Sequence, residues 1–168
     1  MSRHWLKQQA SLKAQTLPRA RLWSSGPLST RSMTGYQLEE QIGFILRLVM
    51  QRHIGLFGQH IDEVTRPQFS VLAQLCAVGE ASQNELGRSI AMDAATIKGV
   101  VDRLRDRGLV SAEPLARDRR RLILRPTRAG RELFASLINR ALEASAATLS
   151  PLDDAEKKEL LRLLKKMI

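Results

Sequence analysis

Apolar residues recur along most of this chain at intervals of three and four, the spacing of one face of an α-helix. From Gln37 to about Ile61 the positions Leu38, Ile42, Ile45, Val49, His53, Leu56 and His60 follow that rhythm and predict one long helix. Phe44, Leu46, Leu48, Met50 and Phe57 spread its apolar surface past a single stripe, so it needs partners on more than one side. Residues 62–67 read as a connection, with Pro67 in the first turn of the next helix, where its missing amide is harmless. That helix directs Phe69, Leu72, Leu75 and Cys76 inward and ends at Gly79. Ser82-Gln83-Asn84-Glu85 is a capping box, in which the Ser hydroxyl and the Glu carboxylate each satisfy a free amide of a short helix running to about Ile90. Asp93 marks a second start, and Ile97, Val100, Val101 and Leu104 face inward until Gly108 stops the helix in the left-handed region that glycine adopts cheaply. Residues 109–113 and 122–124 are rich in aliphatics and read as the two strands of a hairpin. From Arg128 to about Leu149 a long helix turns Leu133, Leu137, Ala141 and Leu142 inward. Pro151 interrupts it, and Asp153 and Asp154 open a last helix with Leu152, Leu160, Leu163, Leu164 and Met167 on its apolar side. The predicted class is mainly α with a small β-hairpin.

The polar face of the helix after Asp93 is unusual. Ala94, Ala95 and Gly99 are small, and they alternate with Thr96, Lys98 and Arg103, which can donate hydrogen bonds. A solvated face more often carries Glu and Lys throughout. A mid-helix glycine costs about 1 kcal/mol against alanine, so Gly99 asks for a reason, and close approach to the floor of a DNA major groove is one. The alternative is a surface helix that tolerates one glycine. The hairpin favours the DNA reading. Seven arginines and one acid fall within residues 117–131, and on a hairpin Arg117, Arg119 and Arg120 would reach out as a positive finger toward phosphates or a narrow minor groove. A solvated charge run is the plainer alternative. Candidate DNA-contacting residues are therefore Ser82, Gln83, Ala94, Ala95, Thr96, Lys98, Gly99, Arg103, Arg117, Arg119 and Arg120.

Three spaced segments resemble the winged helix-turn-helix of the multiple-antibiotic-resistance regulator (MarR) family. They are Asp93-Ala94-Ala95-Thr96, then Val101-Asp102-Arg103-Leu104 with Arg107-Gly108-Leu109-Val110, and Asp118-Arg119-Arg120 in the wing. Thr127-Arg128-Ala129-Gly130 is similar to the family's next helix start, although Pro126 stands where a leucine is usual. The resemblance covers about residues 37–168 and implies one MarR-type domain over 33–168. Its winged helix-turn-helix would occupy about 67–126, with dimerisation helices at about 37–61 and 128–168. It implies a homodimer whose first and last helices interleave with those of a second subunit, burying the surplus apolar surface. Two recognition helices so related would read a pseudo-palindromic operator with half-sites one turn apart (~34–36 Å). The function implied is a ligand-released repressor that binds double-stranded DNA.

The resemblance also implies a crevice for a small aromatic acid where the dimerisation helices meet the winged domain. Here it would be lined by Phe44, Arg47, Met50, Gln51, His53 and Ile54, by Arg66, and by Gln68, Phe69 and Leu72, with His53 and Arg66 meeting a carboxylate against apolar walls. The expected ligand-contacting set is Phe44, Arg47, Met50, His53, Arg66 and Phe69. The stretch from Tyr36 to Arg47 is similar to the branch of the family that regulates nicotinate degradation. That branch implies 6-hydroxynicotinate, or another hydroxylated aromatic acid, as effector.

Composition narrows the remaining choices. The net charge of +10 points to a polyanionic partner. Only seven aromatic residues are present, too few for stacking along single-stranded bases. A single cysteine excludes an internal disulfide framework and fits a reducing cytoplasm. Cys76 lies on an apolar face with no cation beside it in sequence and reads as a packed structural thiol. No apolar run is long enough to cross a bilayer. Residues 1–32 hold six basic residues and no acid, a make-up shared with transit peptides, and read as a basic flexible extension preceding Met33, an alternative start. A nonspecific DNA-binding arm is the functional alternative for it. His4, His53 and His60 are too few and too scattered for a hydrolytic or metal site, so neither catalysis nor a metal nor a cofactor is expected. The rival to a ligand-responsive repressor is an architectural DNA-binding protein without an effector.

Overall fold

A computed structural model of the chain describes residues 35–115 and 118–168, and only the backbone of 115 and 118–121. The chain divides into two units, Met1–Leu38 and Glu39–Ile168. The second carries α1 (Ile42–His60), α2 (Arg66–Val78), β1 (Ala81–Ser82), α3 (Gln83–Ser89), α4 (Ala94–Asp106), β2 (Val110–Leu115), β3 (Asp118–Pro126), α5 (Arg128–Thr148) and α6 (Asp154–Lys165). The architecture is mainly helical with one small antiparallel sheet, as the periodicity predicts. The predicted helix over 37–61 starts late. Leu38–Glu40 form a 3-10 turn and Gln41 is extended (φ −80°, ψ 127°) with no side-chain cap, so regular α geometry begins only at Ile42.

Local chemistry sets the other helix starts. Thr65 and Gln68 form a capping box at α2, with Pro67 in the first turn, and Ser82 and Glu85 form the expected one at α3. Asp93 accepts from the amides of Ala95 and Thr96 at 3.0 and 2.8 Å, and Asp153 caps α6 in the same manner. At the far end of α4, Gly108 takes φ +69°. Its amide donates to Arg105 O at 2.8 Å, and that of Leu109 to Leu104 O at 2.9 Å, closing a Schellman turn.

The core lies under the α3–α4 pair. Val71, Leu72 and Leu75 of α2, Leu86 of α3, and Ile97, Val100, Val101 and Leu104 of α4 pack with Leu109, Val110 and Leu124 of the strands. Phe57, Ile61 and Val64 join from the α1 end and Leu137 from α5. The sheet has the order β1-β3-β2. Pro114, which cannot donate to the ladder, borders a register shift at Leu115. The strand β1 is absent from the sequence reading. It has two residues, and Ala81 and Ser82 pair with Leu124 and Ile123, far along the chain.

α5 docks through its first turn. Thr127 donates its amide to Leu109 O (3.1 Å) and its hydroxyl to Gly108 O (2.7 Å), and its hydroxyl oxygen accepts from Gly130 N (3.0 Å). This brings the helix so close that a Cβ on Gly130 would stand 2.1 Å from Leu109 O. α1 and α5 are then clasped at both ends. Arg52 donates to Ala147 O, Thr148 O and Ser150 Oγ at the carbonyl end of α5. Arg140 donates to His60 O and pairs with Asp62 and Glu63 at the α1–α2 corner. Its guanidinium holds the Glu63 carboxyl at about 2.

Several predicted inward residues are not buried within the chain. Leu142 of α5 and Met167 are each 63% exposed, and Leu163 of α6 is 45% exposed. No residue of α6 is buried among the described residues. On α1, Ile42, Ile45, Leu46, Leu48 and Val49 are likewise exposed.

Among the described residues, one non-glycine backbone position is strained. Ala91, in the turn between α3 and α4, has φ +52°, a region costing a residue with a Cβ roughly 1–2 kcal/mol. Ala91→Gly removes that strain but frees the unfolded chain by about 0.4–1 kcal/mol. The expected net result in urea denaturation is a gain of up to about 1.6 kcal/mol, and a loss would show that the turn tolerates its alanine without strain.

Candidate nucleic-acid interface and adjoining cavity

α4 presents the expected face. Ala94, Ala95, Thr96, Lys98 and Arg103 are exposed, and Gly99 is half-buried. The polar groups on it are held by neighbours. Thr96 Oγ1 donates to Asp93 Oδ2 at 2.6 Å, and Lys98 Nζ pairs with Asp102 at 2.7 Å. These bonds hold both carboxyls below their ordinary range: the Thr96 hydroxyl acts first on Asp93, and the Lys98 ammonium first on Asp102. Arg103 has no ion-pair partner among the described residues. A Cβ at Gly99 would meet only the Arg103 guanidinium, at an ordinary 3.6 Å, so nothing among the described residues requires glycine there.

At the start of α3, Gln83 is half-buried, but Ser82 departs from expectation. It is 7% exposed, and its hydroxyl donates to Glu85 Oε2 at 2.6 Å, so it is committed to the cap and turned away from any outer partner. In the wing, Arg117 lies outside the described residues, as do the side chains of Arg119 and Arg120. Three further arginines of the basic run are engaged within the chain. Arg125 joins Glu80 (2.6 Å) to Glu113 (2.8 Å), Arg128 pairs with Glu132 (2.7 Å), and Arg131 donates to Pro126 O (2.6 Å). They brace the base of the hairpin and the start of α5, and are not free cations.

Between α1, α2 and α5 lies a cavity of about 230 Å³ lined by His53, Phe57, Arg66, Phe69, Ser70, Ala141 and Ser145. It brings together three of the residues expected to touch a ligand: His53, Arg66 and Phe69. Phe44, Arg47 and Met50 do not line it. Arg47 lies over the Phe44 ring at 5.1 Å near the exposed start of α1, and Met50 offers its sulfur to Arg66 Nη1 at 3.0 Å from outside the cavity. The sequence reading missed Phe57, Ser70, Ala141 and Ser145. Phe57 sits one turn beyond His53 and Ser70 one turn beyond Arg66, a spacing that could have found them. Ala141 and Ser145 come from α5 and carry no chemical signal of their own.

The walls are aromatic on one side and polar on the other. Phe57 meets Phe69 edge-on at 5.6 Å, and Phe69 meets Phe134 at 5.4 Å. Arg66, in the first turn of α2, has no carboxylate partner among the described residues. His53 Nδ1 lies 2.9 Å from Thr148 Oγ1. Burial lowers the His53 pKa, and the Arg66 charge lowers it further, so the ring is neutral at neutral pH. Cys76 lies outside this cavity, half-buried; burial pushes its thiol up against the opposing charge of Arg131, a cation that adjacency in sequence did not reveal. Among the described residues, no three His, Cys, Asp or Glu side chains gather to hold a metal ion, and no helix is long and apolar enough to cross a membrane.

Comparison with known proteins agrees with this geometry. The family profile described as MarR family matches residues 63–121, from the α1–α2 corner into the wing. The HTH-type transcriptional repressor NicR of Pseudomonas putida is 39% identical over 147 residues, 86% of this chain and 91% of that one. A crystal structure described as a probable transcriptional regulator from Pseudomonas aeruginosa superposes with a TM-score of 0.76 at 42% identity, covering 79% of this chain and all of that one. BpsR of Bordetella bronchiseptica, whose DNA binding is regulated by 6-hydroxynicotinic acid, superposes with a TM-score of 0.76 at 34% identity, over 79% of this chain and 96% of that one. The chain belongs to the MarR family of transcriptional regulators.

Proposed function

We propose that this regulator is a cytoplasmic repressor that holds a pseudo-palindromic operator as a homodimer and lets go when a small aromatic carboxylate, 6-hydroxynicotinate first among candidates, enters the cavity. The observation carrying the effector is the cavity itself: one guanidinium with no carboxylate partner among the described residues, Arg66, one neutral imidazole, His53, and the flat wall of Phe69 in a space suited to a single-ring acid. The regulation of BpsR by 6-hydroxynicotinic acid supports the choice of ligand. The exposed aliphatics of α1 and α6, with Leu142 of α5, support a dimer, since a lone subunit would leave them in water. Small side chains on the outer face of α4 support reading of the major groove, with the wing arginines Arg119 and Arg120 on the backbone.

The deciding experiment selects bound duplexes from a random pool and then titrates the complex with aromatic acids. A palindrome and release by 6-hydroxynicotinate are expected. Tight binding that no acid disturbs would favour an architectural protein. On the recovered site, Arg119→Ala and Arg120→Ala should weaken binding to all sequences and reduce its salt slope by about one ion each. Thr96→Ala and Lys98→Ala should instead shift base preference. If all four variants behaved alike, this division between gripping and reading contacts would be wrong.

A further inference from the structure

The hydrogen bonding behind the cavity fixes which ring nitrogen of His53 carries the proton. Thr148 Oγ1 lies 2.8 Å from Ala144 O. Two oxygens that close need a proton between them, and a carbonyl has none to give, so the single hydroxyl proton of Thr148 is committed to Ala144. Thr148 can therefore only accept from His53 Nδ1, 2.9 Å away, and Nδ1 brings the proton itself. In the neutral ring that leaves Nε2 bare, an acceptor and not a donor. Nε2 has no partner among the described residues, yet it is not among buried polar atoms lacking one, so it reaches open space beside the ring. His53 is among the residues that line the cavity.

Resting on the effector reading of this cavity, we propose that His53, set by Thr148, makes the site select acids that carry a hydrogen-bond donor as well as a carboxylate. Arg66 offers only donors and takes the carboxylate. His53 Nε2 offers only a lone pair and takes a hydroxyl or a ring N–H. A hydroxylated nitrogen-ring acid satisfies both, because its mobile proton sits on oxygen or on ring nitrogen and is a donor in either place. An acid of the same shape without that proton would leave Nε2 desolvated and unpaired. His53 is thus a specificity-determining residue, and Thr148 positions its proton without touching the ligand.

The test is calorimetric titration of the purified full chain with 6-hydroxynicotinate and with 6-fluoronicotinate, which is similar in size and has no donor. The wild type should bind the fluoro acid about tenfold or more weakly than the hydroxy acid. In Thr148→Val the ring is free to move its proton to Nε2, so the two affinities should converge to within about threefold. Nitrogen-15 NMR of the ligand-free wild type should show His53 protonated at Nδ1 and bare at Nε2, with His53→Gln assigning the signal. Equal binding of both acids by the wild type, or a proton on Nε2, overturns the donor rule while leaving the effector reading intact. Binding of neither acid overturns the effector reading and the rule together.

Discussion

Gly130→Ala should melt well below the wild type. The added methyl would stand 2.1 Å from Leu109 O and 3.1 Å from Leu109 C, and both atoms are backbone, which cannot swing aside. Relief would require α5 to lift away or Leu109 to move. Lifting α5 breaks the bonds from Thr127 to Leu109 O and Gly108 O, and moving Leu109 breaks the Schellman closure onto Leu104 O. The expected loss is about 3 kcal/mol, the upper end of the range for overpacking. At this chain length that is roughly 6–12 °C in Tm, read by circular dichroism at matched protein concentration. Gly58→Ala on α1, where a Cβ meets nothing within 4 Å, serves as the control and should melt no lower than the wild type. Equal melting of Gly130→Ala and wild type would show that the first turn of α5 is not seated on Leu109.

Gly99→Ala should do the opposite: leave the fold intact and impair DNA binding. Within the subunit a methyl there is in ordinary contact with one flexible guanidinium. Alanine is the better helix former by about 1 kcal/mol, so stability should hold or rise slightly. If the small face of α4 lies on a groove floor, the methyl takes space that bases need. The affinity lost should match that of one good base contact, about 1–3 kcal/mol or roughly ten- to two-hundredfold. Fluorescence anisotropy with operator DNA, beside a melting curve on the same sample, separates the two effects. Unaltered affinity would mean that α4 does not approach the duplex at Gly99.

The elements written in local chemistry were legible before any coordinates. Ser82, Asp93 and Asp153 cap the helices they were expected to cap, and the face of Ile97, Val100, Val101 and Leu104 is buried as its spacing requires. Contacts between distant segments were not legible. β1 is too short to show alternation, and its partners lie some forty residues on. Leu142, Leu163 and Met167 look like core because the pattern records apolarity, not which surface covers it. The same holds at the cavity. His53, Arg66 and Phe69 carry recognisable chemistry, whereas Ala141 and Ser145 matter only because α5 happens to pass there. The arginine run misled in another way: its charge could be counted, but the pairing of Arg125 with Glu80 and Glu113 joins residues from three separate segments.

The two-residue strand β1 has a practical outcome for anyone building hybrids. Ser82 is at once the last ladder residue against Ile123 and the cap of α3, and Glu80 just before it receives Arg125. Pitch of the hairpin and orientation of the helix pair thus share one hinge pin. A hairpin grafted from a cousin would arrive without its mate, so chimeras should exchange residues 80–85 and 110–126 as a single cassette.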